Sequence, residues 1–363
     1  MKVAFRVDAG VAIGGGHLSR CLTLAESLML KGVSQCYFIL KSHKGNSSVQ
    51  VKNKGFNLKL LPLEYEPNYS NDYAQWVGGD ISSDAELSLA YLKKNGFEEG
   101  DWLIVDHYGL DVRFETVISA TGIKVGVIDD LVNRYHNCKF LVDQTCGREA
   151  KEYTGLVNQD SKVLAGSSFC MLRPEFRNHK AKAFLKRLAC AEYKNIFINF
   201  GSTDPTNVTT RIIKTIEDLH CLDTVKVVIA IGSNTPYLKE IQKGILESRH
   251  DIELQIDANN MSELMLSADI AIGAAGATTW ERCALGLPSI LIKTAENQTT
   301  VIERVIKYGV GILYSVDSGN PSQELQNCLD YILENYRSIS EKCFELVDGQ
   351  GVDKIVDQII GNN

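Results

Sequence analysis

Short apolar, β-branched runs alternate along this chain with longer runs whose apolar residues recur at helical spacing, and the alternation starts twice. Parallel neighbouring strands need a crossover between them, so this rhythm predicts right-handed βαβ units on parallel sheets. Val3 to Val7 reads as the first strand, and Leu18, Cys21, Leu22, Ala25 and Leu28 then share one helical face. Further strands are predicted at Cys36 to Leu40, Leu58 to Leu61, Leu103 to Val105 and Val125 to Ile128, with helices such as Asp84 to Lys94 and Phe114 to Ala120 between them. The rhythm loosens from Cys146 to about Phe176, and a basic helical stretch, Lys180 to Arg187, follows. It restarts at Asn195 to Phe200 and continues through strands at Val225 to Ile229, Ile252 to Ile256, Ile270 to Ile272 and Ser289 to Ile292, with helices at Val208 to Leu219 and Thr299 to Tyr308. From Ser322 onward only helices are predicted. The expectation is an α/β chain of two Rossmann-like domains, residues 1–175 and 176–363, facing across a cleft, with ligands at the carboxyl ends of the strands.

Composition narrows the partners. With 363 residues, each half can bury its own core. A net charge of -7 argues against a dedicated nucleic-acid binder, yet leaves room for an anionic ligand, because backbone N–H groups bind phosphate without a basic patch. The ten cysteines stand singly, with no Cys-x-x-Cys, as buried thiols in a reducing compartment do, and no Cys/His cluster suggests zinc. Met1 to Asp8 carries charges where a signal peptide needs an apolar core, and no stretch approaches about 18 uncharged apolar residues. A cytoplasmic protein with no membrane span, metal or cofactor is expected.

Five turns hold groups that can do chemistry. The first, Asp8 to His17, joins strand to helix and contains Gly14, Gly15 and Gly16, which let backbone approach a ligand closely. His17 then falls at the helix N-terminus, where the macrodipole disfavours imidazolium, and a neutral imidazole is what a general base needs. No Lys-Ser or Lys-Thr pair follows, so this is no P-loop, and it does not match Gly-x-Gly-x-x-Gly. The same residues also fit a tight turn whose histidine only caps the helix. The second turn, Gly273 to Glu281, opens a helix whose free N–H groups at Gly276, Ala277, Thr278 and Thr279 suit a diphosphate, with Glu281 free to accept from ribose. Thr278-x-x-Glu281 equally reads as a capping box. The third, Gly201-Ser202-Thr203-Asp204-Pro205, follows a strand and can serve as a turn with Asp204 or Thr206 as cap. In the fourth, Glu296-Asn297-Gln298, amides can bind a sugar or cap a helix. In the fifth, Asp106-His107-Tyr108 ends a strand, where Asp106 or Tyr108 can orient a nucleophile or a sugar, or Asp106 can simply satisfy loop amides. The remaining histidines, His43, His136, His179, His220 and His250, read as ordinary surface or loop residues.

Gly-Gly-Gly-His opening the first helix resembles the glycine-rich turn of GT-B nucleotide-sugar enzymes, of which the peptidoglycan UDP-N-acetylglucosamine transferase is a familiar example. Phe5-Arg6-Val7-Asp8-Ala9, Leu172-Arg173-Pro174-Glu175-Phe176, Thr279 to Pro288 and Glu296-Asn297-Gln298 look more narrowly like the UDP-sugar hydrolases of pseudaminic acid biosynthesis, a route to flagellin or surface-glycan modification. These blocks run to about residue 300. The resemblance implies a GT-B-like fold. It also implies metal-free hydrolysis of a UDP-linked 2,4-diacetamido-2,4,6-trideoxy-L-altrose at the anomeric C–O bond with inversion, His17 acting as base. One turn departs from the pattern: the family often has Gly-Gly-Ser-Asp where this chain has Gly201-Ser202-Thr203-Asp204, which leaves the backbone contact more secure than one from the Ser202 side chain.

The chemistry closes with few groups. Inverting glycoside hydrolysis ordinarily uses two carboxyl groups, and no such pair stands out. UDP, however, leaves with little protonation, so one base to deprotonate water suffices and amides at 276–279 can steady the charge on the diphosphate. The expected catalytic set is His17, with Tyr108 and Asn297 positioning the sugar. Gly14, Gly15, Gly16, Arg6, Asp8 and Asp106, with Gly201, Ser202, Gly276, Ala277, Thr278, Thr279, Glu281, Glu296 and Gln298, are expected to line the UDP-sugar. The loop Tyr65 to Gly79 is expected to shape the sugar pocket. The alternatives are a GT-B glycosyltransferase using the same donor, a nucleotide-sugar 2-epimerase and a non-catalytic nucleotide-sugar binder.

Overall fold

The computed structural model describes residues 1–69, 72–190 and 192–361. Ser70 and Asn71, inside the loop expected to shape the sugar pocket, and the last two residues of the 176–363 assignment lie outside the described residues. The chain divides into two compact units, Met1–Met171 with the segment from Gln350 onward, and Leu172–Gly349.

The first unit is built on a seven-stranded sheet. Its strands are β1 (Lys2–Val7), β2 (Gln35–Lys41), β3 (Asn57–Leu61), β4 (Trp102–Asp106), β5 (Lys124–Ile128), β6 (Phe140–Asp143) and β7 (Lys162–Ala165). They lie in the order β3-β2-β1-β4-β5-β6-β7, every pairing parallel. A parallel sheet covered by helices on both faces needs apolar side chains on both, which is why its strands read as nearly continuous apolar runs. In β1, Val3, Phe5 and Val7 join one apolar cluster and Ala4 the other. The second unit carries β8 (Asn195–Asn199), β9 (Lys226–Ile231), β10 (Ile252–Ile256), β11 (Ile270–Ala274), β12 (Ser289–Ile292) and β13 (Ile312–Leu313) in the order β10-β9-β8-β11-β12-β13, again all parallel.

In each sheet the order reverses direction beside its first strand, between β1 and β4 and between β8 and β11. At such a switch point the crossovers leave on opposite faces and a crevice opens at the carboxyl ends. The glycine turn after β1 and Asp106 at the end of β4 meet at one crevice. The turns after β8 and β11 meet at the other.

β6, β7 and β13 were not predicted. They are four, four and two residues long and lie at or near sheet edges, so partner backbone decides them more than their own composition. The helix predicted from Asp84 begins earlier, at Ile81, because the Asp80 side chain accepts from the backbone N–H of Ser82 and Ser83.

The final helix, Gly351–Ile360, reads with the second half in sequence but packs on the first unit. Its buried stripe, Val352, Ile355, Val356 and Ile359, joins the apolar cluster of Leu18, Leu22 and Ala25 from the first helix, Gly16–Leu30. Lys354 Nζ donates to the Ser168 carbonyl at 3.0 Å. The contact demands glycine at 351, since a Cβ there would stand 2.4 Å from the Cys170 carbonyl oxygen and 2.5 Å from its nitrogen. Gly351→Ala should therefore destabilise the first unit by roughly 1–3 kcal/mol, the usual range for overpacking. An unchanged denaturation midpoint would refute this account of the docking.

Candidate active site

The first helix starts abruptly out of the glycine turn. Gly14 has φ +82, a conformation that suits glycine, and its N–H donates to the Gly10 carbonyl at 2.8 Å. Gly15 is the N-cap and His17 the second helical residue. His17, Arg20 and Cys21 follow at i, i+3 and i+4, so one helix face presents all three to the end of β4.

Asp106 receives them. The register pairs it with Val7 of β1, which brings it beside the turn. Arg20 grips the carboxylate through both oxygens, Nε to Oδ2 and Nη2 to Oδ1, each at 2.6 Å. His17 Nδ1 lies 2.7 Å from Oδ1, and Cys21 Sγ donates to Oδ2 at 3.4 Å. Burial would raise the Asp106 pKa, but the charge of Arg20, then that of His17, holds it well below the usual carboxylate range. A carboxylate only accepts, so it is met by an Nδ1–H of His17, while Arg20 Nη2 lies 3.1 Å from the same nitrogen. The His17 side chain is 13% exposed, enough to meet a ligand while its other nitrogen is held in place.

Tyr108 stands edge-on to His17, with ring centroids 4.6 Å apart. Its hydroxyl donates to Asp130 Oδ1 at 2.7 Å, and burial, reinforced by Asp130, raises its pKa well above the ordinary value, so it stays a phenol. Asp130 also lies 3.6 Å from Arg20 Nη1.

Arg6 and Asp8 lie deeper. Arg6 has no exposed surface and bonds Asp8 through Nη1 and Nη2 and Asp84 through Nε and Nη2, at 2.7 to 3.1 Å. Asp8 also accepts from the Lys41 backbone at 2.7 Å and faces His43 Nε2 at 3.2 Å and His107 Nε2 at 3.1 Å. Burial opposes its ionisation, but Arg6 and the two histidines keep it ionised well below the normal range. This network ties β1, β2 and β4 together under the turn. His43 is therefore no surface residue, and neither are His136 and His250, all three being buried. His179 is half-buried and His220 exposed.

In the second unit, Gly276, Ala277 and Thr278 are half-exposed, and a Cβ at Gly276 would meet nothing within 4 Å, so backbone there borders open space. No capping box forms: Ala277 is the N-cap, without a side-chain cap, and Glu281 Oε1 accepts instead from Arg173 Nε at 3.1 Å and Nη2 at 3.0 Å. Thr279 is buried and its hydroxyl accepts from Arg282 Nη2, which also donates to the Ala274 carbonyl. Burial pushes the Arg282 guanidinium down to about 10. Gly201 and Ser202 are exposed, Gly201 at φ +91, while Asp204 caps the following helix through Val208 and Thr209 N–H at 3.0 and 2.8 Å. Gln298 spends its amide on Thr294, Glu296 pairs with Lys293 at 2.8 Å, and Asn297 is half-buried in the same short 3-10 turn.

Thus His17, Asp106 and Tyr108 come together with the glycines in one unit, and the 201–202 and 276–281 turns share a crevice in the other. Sequence reasoning missed Arg20 and Asp130. The signal for Arg20 was present, a basic residue three positions after His17 on the same helix face, but its partner lies 86 positions away.

Residues 195–346 match the glycosyltransferase family 28 C-terminal domain. The chain is 28% identical over 315 residues to the UDP-2,4-diacetamido-2,4,6-trideoxy-beta-L-altropyranose hydrolase of Campylobacter jejuni, covering 86% of this chain and 99% of that one. It superposes on MurG of Acinetobacter baumannii with a TM-score of 0.67 at 15% identity, covering 99% of both chains. The fold is GT-B. A UDP-GlcNAc 2-epimerase of Neisseria meningitidis, solved with UDP-GlcNAc bound, shares it at a TM-score of 0.63 and 15% identity, over the full length of both chains. Among the described residues no helix of this GT-B chain is long and apolar enough to cross a membrane, and no group of three or more His, Cys, Asp or Glu residues is arranged to hold a metal ion.

Buried His136 makes stability depend on pH. His136 Nδ1 lies 2.7 Å from Glu115 Oε1 and Nε2 3.8 Å from Asp129 Oδ2. Burial lowers its pKa, but the two carboxylates outweigh burial and raise it from 6.5 to about 9. The folded state thus holds a proton that the unfolded chain releases near pH 6.5. The stabilisation is complete below that pH and is lost as pH rises through about 9, up to roughly 3 kcal/mol. Urea midpoints should fall between pH 6 and 9.5 in the wild type and much less in His136→Gln. Equal slopes in the two proteins would exclude His136 as the titrating group.

Proposed function

We propose that this chain is a UDP-sugar hydrolase that releases UDP and a free 2,4-diacetamido-2,4,6-trideoxy sugar, with inversion, in nonulosonic (pseudaminic) acid biosynthesis. The observation that carries the reading is the His17 Nδ1 contact with the Asp106 carboxylate at 2.7 Å. It leaves Nε2 as a base held in one orientation. Water attacks the anomeric carbon and passes a proton to Nε2. The anomeric C–O bond breaks with its electron pair going to the diphosphate oxygen, and UDP departs. Asp106 acts through His17, as a positioning residue that steadies the imidazolium. The open backbone of Gly276, Ala277 and Thr278, with Thr279, Gly201 and Ser202, is the proposed seat of UDP, and Glu281 its ribose acceptor. Tyr108 and Asn297, with Glu296 and Gln298, are proposed to position the sugar, and the glycine turn lets the substrate approach closely. The similarity to the Campylobacter protein along nearly its whole length supports the hydrolase reading. A cytoplasmic location accords with a nucleotide-sugar substrate.

The family 28 domain favours a second reading, a glycosyltransferase using the same donor with an acceptor hydroxyl in place of water. UDP release without any acceptor separates the two. Following the UDP-linked sugar by NMR should show a free sugar of inverted anomeric configuration, and its absence would sink the hydrolase.

A positioned general base contributes roughly a hundredfold or more in rate. His17→Ala should lose at least that in kcat while UDP still binds, and near-normal turnover would remove His17 from the role. Asp106→Asn should lower kcat by about a hundredfold with KM little changed, because the amide cannot stabilise the imidazolium. A rise in KM alone would instead make Asp106 a substrate contact.

A further inference from the structure

We propose that Tyr73, Trp76 and Tyr108 form an aromatic subsite beside His17 for the methyl-bearing face of the sugar, that is, its 6-deoxy methyl and acetamido methyl groups. The identity of the sugar rests on the function proposed above; the aromatic subsite rests on the structure.

The three rings form one group. Tyr73 and Trp76 lie 5.0 Å apart, Tyr73 and Tyr108 5.0 Å, and Trp76 and Tyr108 6.1 Å, centroid to centroid. Tyr108 in turn meets His17 at 4.6 Å. Tyr73 and Trp76 are half-buried and Tyr108 is buried, and none of the three belongs to either apolar cluster of the first unit. Their short 3-10 turn, Tyr73–Val77, sends Val77 into the core instead. Trp76 also meets Tyr69 at 6.3 Å, so the rings build one aromatic wall beside His17, and aromatic faces pack well against methyl groups.

The turn is also held in place before any ligand arrives. Its Tyr73 carbonyl oxygen comes within 2.3 Å of where a Cβ on Gly109 would stand, and Val77 Cγ2 within 2.8 Å. The turn therefore seats directly on the residue after Tyr108, and only glycine permits that approach. At the edge of the rings, the Asp130 side chain is 22% exposed and receives the Tyr108 hydroxyl. An acetamido group presents an N–H and a methyl a few bonds apart, and a carboxylate flanking aromatic faces matches both.

The test uses Trp76→Ala, with Trp76→Phe as the conservative partner. One methylene in an apolar pocket changes discrimination by about ten- to two-hundredfold. Trp76→Ala should therefore raise KM for the UDP-linked diacetamido-trideoxy sugar at least about tenfold, with kcat changed less than about threefold and inhibition by UDP unaltered; Trp76→Phe should recover most of the KM. In saturation-transfer NMR with the free sugar, the methyl protons should be the most strongly saturated with wild type and lose that signal with Trp76→Ala. A KM within twofold of wild type, a fall in kcat alone, or weakened UDP inhibition would overturn the subsite. If wild type leaves the UDP-sugar intact, the hydrolase reading fails and the NMR comparison still decides: methyl saturation that depends on Trp76 upholds the subsite, and its absence overturns it.

Discussion

The carboxylate of Asp106 is the constraint on which the first unit's chemistry depends. A buried charge without partners costs several kcal/mol, and removing one member of a buried pair typically costs about 3–5 kcal/mol. Arg20 satisfies both oxygens with a planar fork, which fixes the carboxylate in orientation as well as charge. Once that anion is fixed, the neighbouring imidazole has one sensible tautomer. Nδ1 is the nitrogen that meets the carboxylate, and Nε2 is the one left for the proposed base.

A second set of buried charges sets the geometry beneath it. Asp8 and Arg6 link the carboxyl ends of β1, β2 and β4 through Lys41, His43, Asp84 and His107. The position of Asp106 relative to the glycine turn depends on the β1–β4 register, and these contacts hold that register. Arg282 plays a comparable part in the second unit. It ties the end of β11 to the helix that follows, and its Nη1 and the Asn199 carbonyl would each stand 2.5 Å from a Cβ on Gly273, which accounts for the glycine there. Three of the polar residues singled out in sequence, Arg6, Asp8 and Thr279, are held in such scaffolding.

Much was legible from sequence because local rules apply to it. The two runs of alternating strands and helices required parallel sheets, and the glycines before His17 marked a strand-to-helix turn at a crevice. Asp204 as a helix cap also follows from residue type and spacing. The short strands β6, β7 and β13 did not show, because strands of two to four residues at or next to a sheet edge take their conformation from the partner backbone. Three histidines read as surface or loop residues lie in loops but are buried, since a buried imidazole with charged partners looks no different in sequence from an exposed one.

What the sequence alone determined is the class of fold, the place of the glycine turn and the helix that His17 opens, all consequences of periodicity within a few residues. Tertiary structure decided which residue faces that helix. Asp106 arrives from a strand 89 positions beyond His17, by a parallel pairing whose register no local pattern encodes. It also sent the last helix to the first sheet, because an amphipathic stripe specifies that it must be covered but not by what. The dyad is thus a product of strand register, and only the folded sheet supplies that.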